Sequence, residues 1–253
     1  MTYARVEIDG APATADRLAS AALVNYGHYS TMQIRGRAVR GLALHLDRLE
    51  AATRELFDAD LDAERVRAAL RHCLGDDYPD ATGRITVFDA GDGTPAVMVA
   101  VSDPAEAPIW PVRLRTVRYL RPMAHLKHVG SFAQIYHGIR AEREGYDDAL
   151  LIDAYGRIAE TTIANIAFVD GGDVIWPNAP ALAGITMQLL EPRLASRRRP
   201  VHLVELTMFD SAFITNSRGV TAVGQIDDVA IPVDDRLTRH VVEAYGEVPW
   251  DPI

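Results

Sequence analysis

The amino-acid sequence predicts an α+β (mixed α/β) protein in two parts, and three observations carry that prediction. Apolar residues recur at helical spacing over 45–57 and 62–75. Short β-branched runs bounded by Gly, Asp and Pro occur in both halves of the chain. Between the halves, SDPAEAPIWPV (102–112) holds three prolines, and the pattern of elements restarts after it.

Each element follows from its residues. HLDRLEAATRELF (45–57) sets Leu46, Leu49 and Leu56 on or near one helical face, and DAERVRAALRHCLG (62–75) repeats the pattern up to Gly75. RITVF (84–88) and AVMVAV (96–101), joined by the turn-forming AGDGTP, make an expected hairpin. VRLRTVRYL (112–120) alternates like a strand, and a helix is expected from about Phe132 to Arg143. ALLID, ANIAFV, DVIW and SAFIT read as further strands, and ITMQLLEPRLA begins a helix just after Gly184. The run Arg197-Arg198-Arg199 reads as the solvated end of a helical stretch. The boundaries expected are a smaller domain over 1–106, a linker over 107–112 and a larger domain over 113–253.

Composition excludes several classes. The net charge of −9 offers no reason to expect nucleic acid or an anionic membrane as partner. No apolar run is long enough to span a bilayer, and MTYARVEIDG lacks the pattern of a signal peptide, so a cytoplasmic location is expected. The single cysteine, Cys73, sits within a helical pattern and reads as a buried apolar residue. No metal site is expected. Of the 26 basic residues, Lys127 is the only lysine. Only a primary amine of this kind forms a Schiff base, although biased codon usage also leaves few lysines.

Pyridoxal 5′-phosphate requires an amine, an acid for its pyridine nitrogen, phosphate donors and a wall for its ring. Lys127 in HLKHVGSF supplies the amine. Glu160, in GRIAETTIANIAF, reads either as the ring's acid or as an exposed loop glutamate. Gly184-Ile185-Thr186 reads either as a phosphate site or as an ordinary helix start, and Thr215-Asn216-Ser217 adds small donors after a strand. Arg48 in HLDRL binds phosphate or pairs with Asp47 or Glu50.

In combination these stretches resemble the class IV aminotransferases, the fold type IV pyridoxal-phosphate enzymes. That family includes branched-chain and D-amino acid aminotransferases and 4-amino-4-deoxychorismate lyase. The resemblance rests on YGHYSTMQIRGRAVRGLALHLDRL, on Lys127, on GRIAETTIANIAF about thirty residues later, and on AGIT at 183–186. It implies a two-domain fold, with the larger C-terminal domain carrying most of the cofactor site. It assigns Lys127 to the Schiff base, Glu160 to the pyridine nitrogen, Arg48, Ile185, Thr186 and Ser217 to the phosphate, and Asn216 to the pocket wall. A homodimer acting on small amino and keto compounds is implied as well.

The chain departs from the family pattern at several points. Phe132 stands where many members have tyrosine, Met187 follows GIT in place of arginine, and VTAVGQ replaces a proline-valine pair. GHYSTMQ replaces a GDGVFET-like stretch, which puts Tyr29, Thr31 and Gln33 on the substrate side. The activity implied is amino transfer between an amino compound and a keto acid. The alternatives are a lyase that releases pyruvate, toward which FITNS leans, and a non-catalytic family member acting as an interaction module. Arg35, Arg37, Arg40, Arg84 and Arg218 are all candidates for a substrate carboxylate, and no spacing selects among them.

Overall fold

The computed structural model describes residues 2–91 and 93–253; Met1, and Asp92 of the expected AGDGTP turn, lie outside the described residues. Two compact units emerge. One runs as far as Ala105 and includes Leu126–Gly130 and Pro249–Ile253; the other comprises Glu106–His125 and Ser131–Val248. The short segment bearing Lys127 therefore belongs to the first unit, separated from the end of that unit's main stretch at Ala105 by the 20 residues Glu106–His125.

The first unit contains β1 (Arg5–Ile8), β2 (Ala11–Pro12), α1 (Ala15–Val24), β3 (Gly27–Ile34), β4 (Ala38–Arg40), α2 (Leu42–Phe57), α3 (Ala63–Leu74), β5 (Ala81–Asp89) and β6 (Pro95–Ser102). Its sheet runs β2-β1-β6-β5-β3 with every neighbouring pair antiparallel. Leu42, Leu46 and Leu49 of α2 and Val66, Leu70 and Leu74 of α3 fall at helical spacing. They pack on Met32, Ile34, Ile85, Val97, Val99 and Val101 of the sheet. Burying each such side chain contributes about 1.5–3 kcal/mol. Asp62 caps α3 by accepting from the Glu64 amide, and Gly75 ends it at a positive φ of 51°, which favours glycine. Cys73 is buried in this core, as expected; burial pushes its thiol up to about 12.

Two distant pieces of chain complete the first unit. A strand at Trp250–Pro252 pairs antiparallel with β4, and Asp251 Oδ2 accepts from the Leu42 amide, capping α2 from the far end of the sequence. Lys127 is held along the edge of β3, where the Tyr29 amide donates to the Lys127 carbonyl (2.8 Å) and the Val129 amide to the Gly27 carbonyl (2.9 Å). A Cβ at Gly27 would meet the Val87 carbonyl at 2.5 Å, so β3 can lie this close to β5 only with glycine there.

The second unit contains β7 (Val112–Arg118), α4 (Phe132–Arg143), β8 (Asp148–Ile152), β9 (Ile158–Thr161), β10 (Asn165–Asp170), β11 (Asp173–Pro177), α5 (Ile185–Leu190), β12 (Ser196–Arg199), β13 (Ser211–Asn216), β14 (Gly219–Ile226), β15 (Val229–Ala230) and α6 (Asp235–Gly246). Its mixed sheet runs β12-β11-β10-β13-β14-β7-β8-β9, with β15 on β14. Alternation along β10 sends Ile166 and Phe168 into one apolar cluster and Ala167 and Val169 into another. The sheet is thus covered on both faces.

One expectation is corrected here. Arg197–Arg199 is not a helix end. It belongs to β12, which pairs parallel with β11. Pro192 in the turn after α5 stops the helix, and the extended chain is then held by Arg198, bidentate on Glu191 at 2.5 and 2.7 Å, and by Arg199 on Glu205 at 2.6 Å. Among the described residues, no helix is long and apolar enough to cross a membrane.

Candidate active site

In the first unit the site is built on β3 and α2. Alternation along β3 turns His28, Ser30, Met32 and Ile34 to the buried side, while Tyr29, Thr31 and Gln33 share the other, partly exposed side. The expectation that these three act together thus has a shared strand face behind it. His45 and Arg48 lie three residues apart on α2, one helical turn, and both reach Ser30. Arg48 Nη2 donates to Ser30 Oγ at 2.5 Å, and Ser30 Oγ lies 2.7 Å from His45 Nδ1. Deeper in the same layer, His28 Nε2 lies 2.9 Å from Thr53 Oγ1. The Thr53 hydroxyl donates to the Leu49 carbonyl, so His28 must be the donor to Thr53.

Both histidines are held neutral. Burial pushes His28 down to about 4, helped by the Arg48 charge. His45 is pushed well below its ordinary value by burial first, then by the charges of Arg48 and Lys127. Lys127 Nζ lies 4.8 Å from the centre of the Tyr29 ring, and the Arg84 guanidinium lies 3.7 Å from the same centre. Arg84 is half-buried, donates to Thr86 Oγ1 at 3.4 Å, and has no carboxylate partner among the described residues.

In the second unit Glu160 lies within β9 and is buried, which removes its reading as an exposed loop residue. Its Oε1 accepts from Arg121 Nε at 3.1 Å and its Oε2 from the Leu182 amide at 3.1 Å. Arg121 also donates to the Ala124 carbonyl. Asn165 Nδ2 donates to the Leu182 carbonyl at 2.7 Å, so the loop before α5 is held at both the donor and the acceptor of one residue. Gly184 is the N-cap residue just before α5, and a Cβ there would run into Asn165 Oδ1. Thr186 Oγ1 donates to the Asn216 carbonyl at 2.7 Å, which brings Ile185 and Thr186 beside the turn of the β13–β14 hairpin. Ser217 occupies that turn, half-buried, and the Thr215 hydroxyl is buried without a partner among the described residues. Phe132, the first residue of α4, is 80% exposed and carries no hydroxyl to replace the family's tyrosine.

Taken by itself, the first unit offers an amine that fits an aldehyde and a guanidinium that fits a phosphate; the second, taken by itself, offers hydroxyls and helix-start amides that fit a phosphate and a buried carboxylate that fits a protonated ring nitrogen. Sequence reading missed Ser30, His45 and Arg121 as parts of this arrangement. A signal existed for the first two, since apolar Met32 and Ile34 put Ser30 on the inner face of a period-two run and His45 stands in HLDRL. No spacing points from Arg121 to a carboxylate 39 residues later.

Residues 27–226 match the family model for amino-transferase class IV. The chain belongs to that family, and its fold is that of the fold type IV enzymes. A probable branched-chain-amino-acid aminotransferase of Rickettsia felis is 31% identical over 134 residues, covering 47% of this chain and 46% of that protein. The chain therefore matches less than half the length of this curated relative. Among solved structures, the PLP-bound form of a hypothetical aminotransferase from Mycobacterium tuberculosis superposes with a TM-score of 0.83 at 18% identity, covering 96% of this chain and 98% of that one. A Legionella pneumophila protein carrying the name of a 4-amino-4-deoxychorismate lyase gives 0.81 at 18% identity, covering 91% and 94%. At such identities the likeness is one of fold.

Proposed function

We propose that the protein is a pyridoxal 5′-phosphate-dependent aminotransferase that moves an amino group between an amino acid or amine and a keto acid. The observation that carries this reading is the company of the only lysine: its amine and the carboxylate-free guanidinium of Arg84 lie against the same tyrosine ring. An amine that takes up the cofactor then has an anchor for a substrate carboxylate beside it, and among the five candidate arginines the position of Arg84 against the Tyr29 ring favours it for that role.

Lys127 would hold the cofactor through its amine and would move the substrate's Cα proton. Glu160 holds a proton at the pyridine nitrogen, kept in orientation by Arg121 and the Leu182 amide. Arg48, Ile185, Thr186 and Ser217 bind the phosphate, and Asn216 lines the pocket. Tyr29, Thr31 and Gln33 contact the substrate. Bound pyridoxal phosphate supplies an electron sink for the bond that breaks at Cα. A homodimer is part of the proposal; the exposed Phe132, Ile135, Tyr136 and Ile139, at successive turns of α4, offer it an apolar face.

The test is absorbance of the purified protein with added pyridoxal phosphate, for the natural sequence and Lys127→Ala, with borohydride reduction and mass mapping. A band that depends on Lys127, with the cofactor mass trapped there, supports the reading; no band and no adduct overturn it. Arg84→Gln is expected to raise KM for the keto acid at least tenfold with a smaller effect on kcat, the loss of about 1.5–3 kcal/mol expected for a charged hydrogen bond. A second reading, a lyase that releases pyruvate, is favoured by Asn216 in FITNS and by the fold likeness to the Legionella protein. Turnover without a keto-acid acceptor distinguishes it.

A further inference from the structure

We infer that Ser30, backed by His45, is a positioning residue that sets the Arg48 guanidinium for the cofactor's phosphate. The inference rests on the cofactor reading above but adds residues to which that reading gives no role. Ser30 is fully buried on the inner face of β3, and His45 is buried on the facing side of α2.

The hydrogen-bond order of the three groups has one solution. A guanidinium has donors and no acceptor, so Ser30 Oγ must accept from Arg48 Nη2. The Ser30 hydroxyl proton is then left to point at His45 Nδ1, 2.7 Å away. His45 must accept at Nδ1 and carry its proton on Nε2, which requires the neutral ring that burial and the two neighbouring cations favour. If His45 were a donor at Nδ1, the serine oxygen would face two donors and its own proton would have no acceptor in this chain of bonds. The arrangement is therefore directional, His45 ← Ser30 ← Arg48, and polarised toward a strong acceptor for the guanidinium.

Because the guanidinium is a rigid plane, fixing one Nη against a buried oxygen fixes the direction of the remaining fork. Ser30 lies within GHYSTMQ, the stretch in which this chain departs from the GDGVFET-like pattern.

The readout is the ratio of two affinities of the full chain after cofactor removal: for pyridoxal 5′-phosphate and for pyridoxal, which lacks the phosphate. Both are measured by equilibrium fluorescence titration. Ser30→Ala is expected to weaken pyridoxal phosphate binding about tenfold and leave pyridoxal binding unchanged, the scale of one hydrogen bond to a charged group. Ser30→Thr keeps the hydroxyl and is expected to retain most of the ratio. Ser30→Cys, of similar volume with a weaker acceptor, reads the same ratio should the alanine variant fail to fold by circular dichroism. Arg48→Gln separates the two levels of the argument. A ratio that collapses in Arg48→Gln but stays intact in Ser30→Ala overturns the positioning role while the phosphate assignment stands. A ratio unchanged in Arg48→Gln removes the phosphate assignment and the inference with it. Equal loss of both affinities in Ser30→Ala marks a packing role and also overturns the inference.

Discussion

Replacing Arg121 by methionine is expected to destabilise the second unit severely, because it strands a buried carboxylate. The side chains of Arg121 and Glu160 are 6% and 7% exposed and meet at 3.1 Å. At that separation, with an effective dielectric of about 20, their attraction is about 5 kcal/mol. Removing one partner of a buried pair costs about 3–5 kcal/mol, since the remaining charge stays desolvated. Arg121 also leaves the Ala124 carbonyl without its donation, and Glu160 keeps only the Leu182 amide. For a chain of this size each kcal/mol moves the melting temperature by about 2–4 °C, so a fall of roughly 6–20 °C is expected. The assay is urea unfolding of the cofactor-free protein followed by tryptophan fluorescence, in which Trp176, buried in this unit, reports. Glu160→Gln in the same background should recover more than half of the loss by removing the stranded charge. A loss below about 1 kcal/mol for Arg121→Met, or no recovery in the double variant, would refute the claim that the pair is desolvated and coupled.

Other expectations follow from single features. Asp148 is buried at the start of β8, its Oδ2 without a partner among the described residues, and burial pushes its carboxyl up from the usual range. Stability from this group is greatest below the ordinary carboxylate range and lost as pH rises through the raised value. Asp148→Asn should therefore gain about 1 kcal/mol at pH 8 and nothing near pH 3, read by thermal unfolding. His28 has the opposite sign: it refuses a proton in the folded state down to about 4, so stability falls as pH drops from its ordinary 6.5 through that value. The loss amounts to at most about 3 kcal/mol, and in His28→Gln the urea midpoint should depend less on pH over this window. Gly184→Ala drives a methyl into Asn165 Oδ1 and disturbs the Leu182 clamp on Glu160. A loss of about 1–3 kcal/mol in thermal stability and weaker pyridoxal phosphate binding are expected; unchanged values for both would show that Asn165 moves aside freely.

The elements that local chemistry can specify were legible in the sequence. Apolar spacing marked α3 and most of α2, the alternation around a glycine-rich turn marked the β5–β6 hairpin, α4 begins at Phe132 and α5 begins just after Gly184. The single lysine stood out by composition alone. Each of these signals is carried by residues a turn or a strand repeat apart, so no knowledge of the rest of the chain is required.

What depended on partners far along the chain was decided only by tertiary structure. Glu160 became a buried strand residue because Arg121 and the Leu182 amide satisfy its two oxygens. Arg197–Arg199 became a strand because β11 offers a free edge and Glu191 and Glu205 bind two of its guanidinium groups. Arg84 was separated from four other arginines by the ring of Tyr29, two strands' register rather than any spacing, and Ser30 found Arg48 and His45 across a strand–helix interface. Periodicity tells which face of an element is apolar, but hydrogen bonds and ion pairs depend on which element lies opposite and in what register. That is set by packing the whole unit, which is why the chemistry-bearing lysine could be named from the sequence while the groups that orient its neighbours could not.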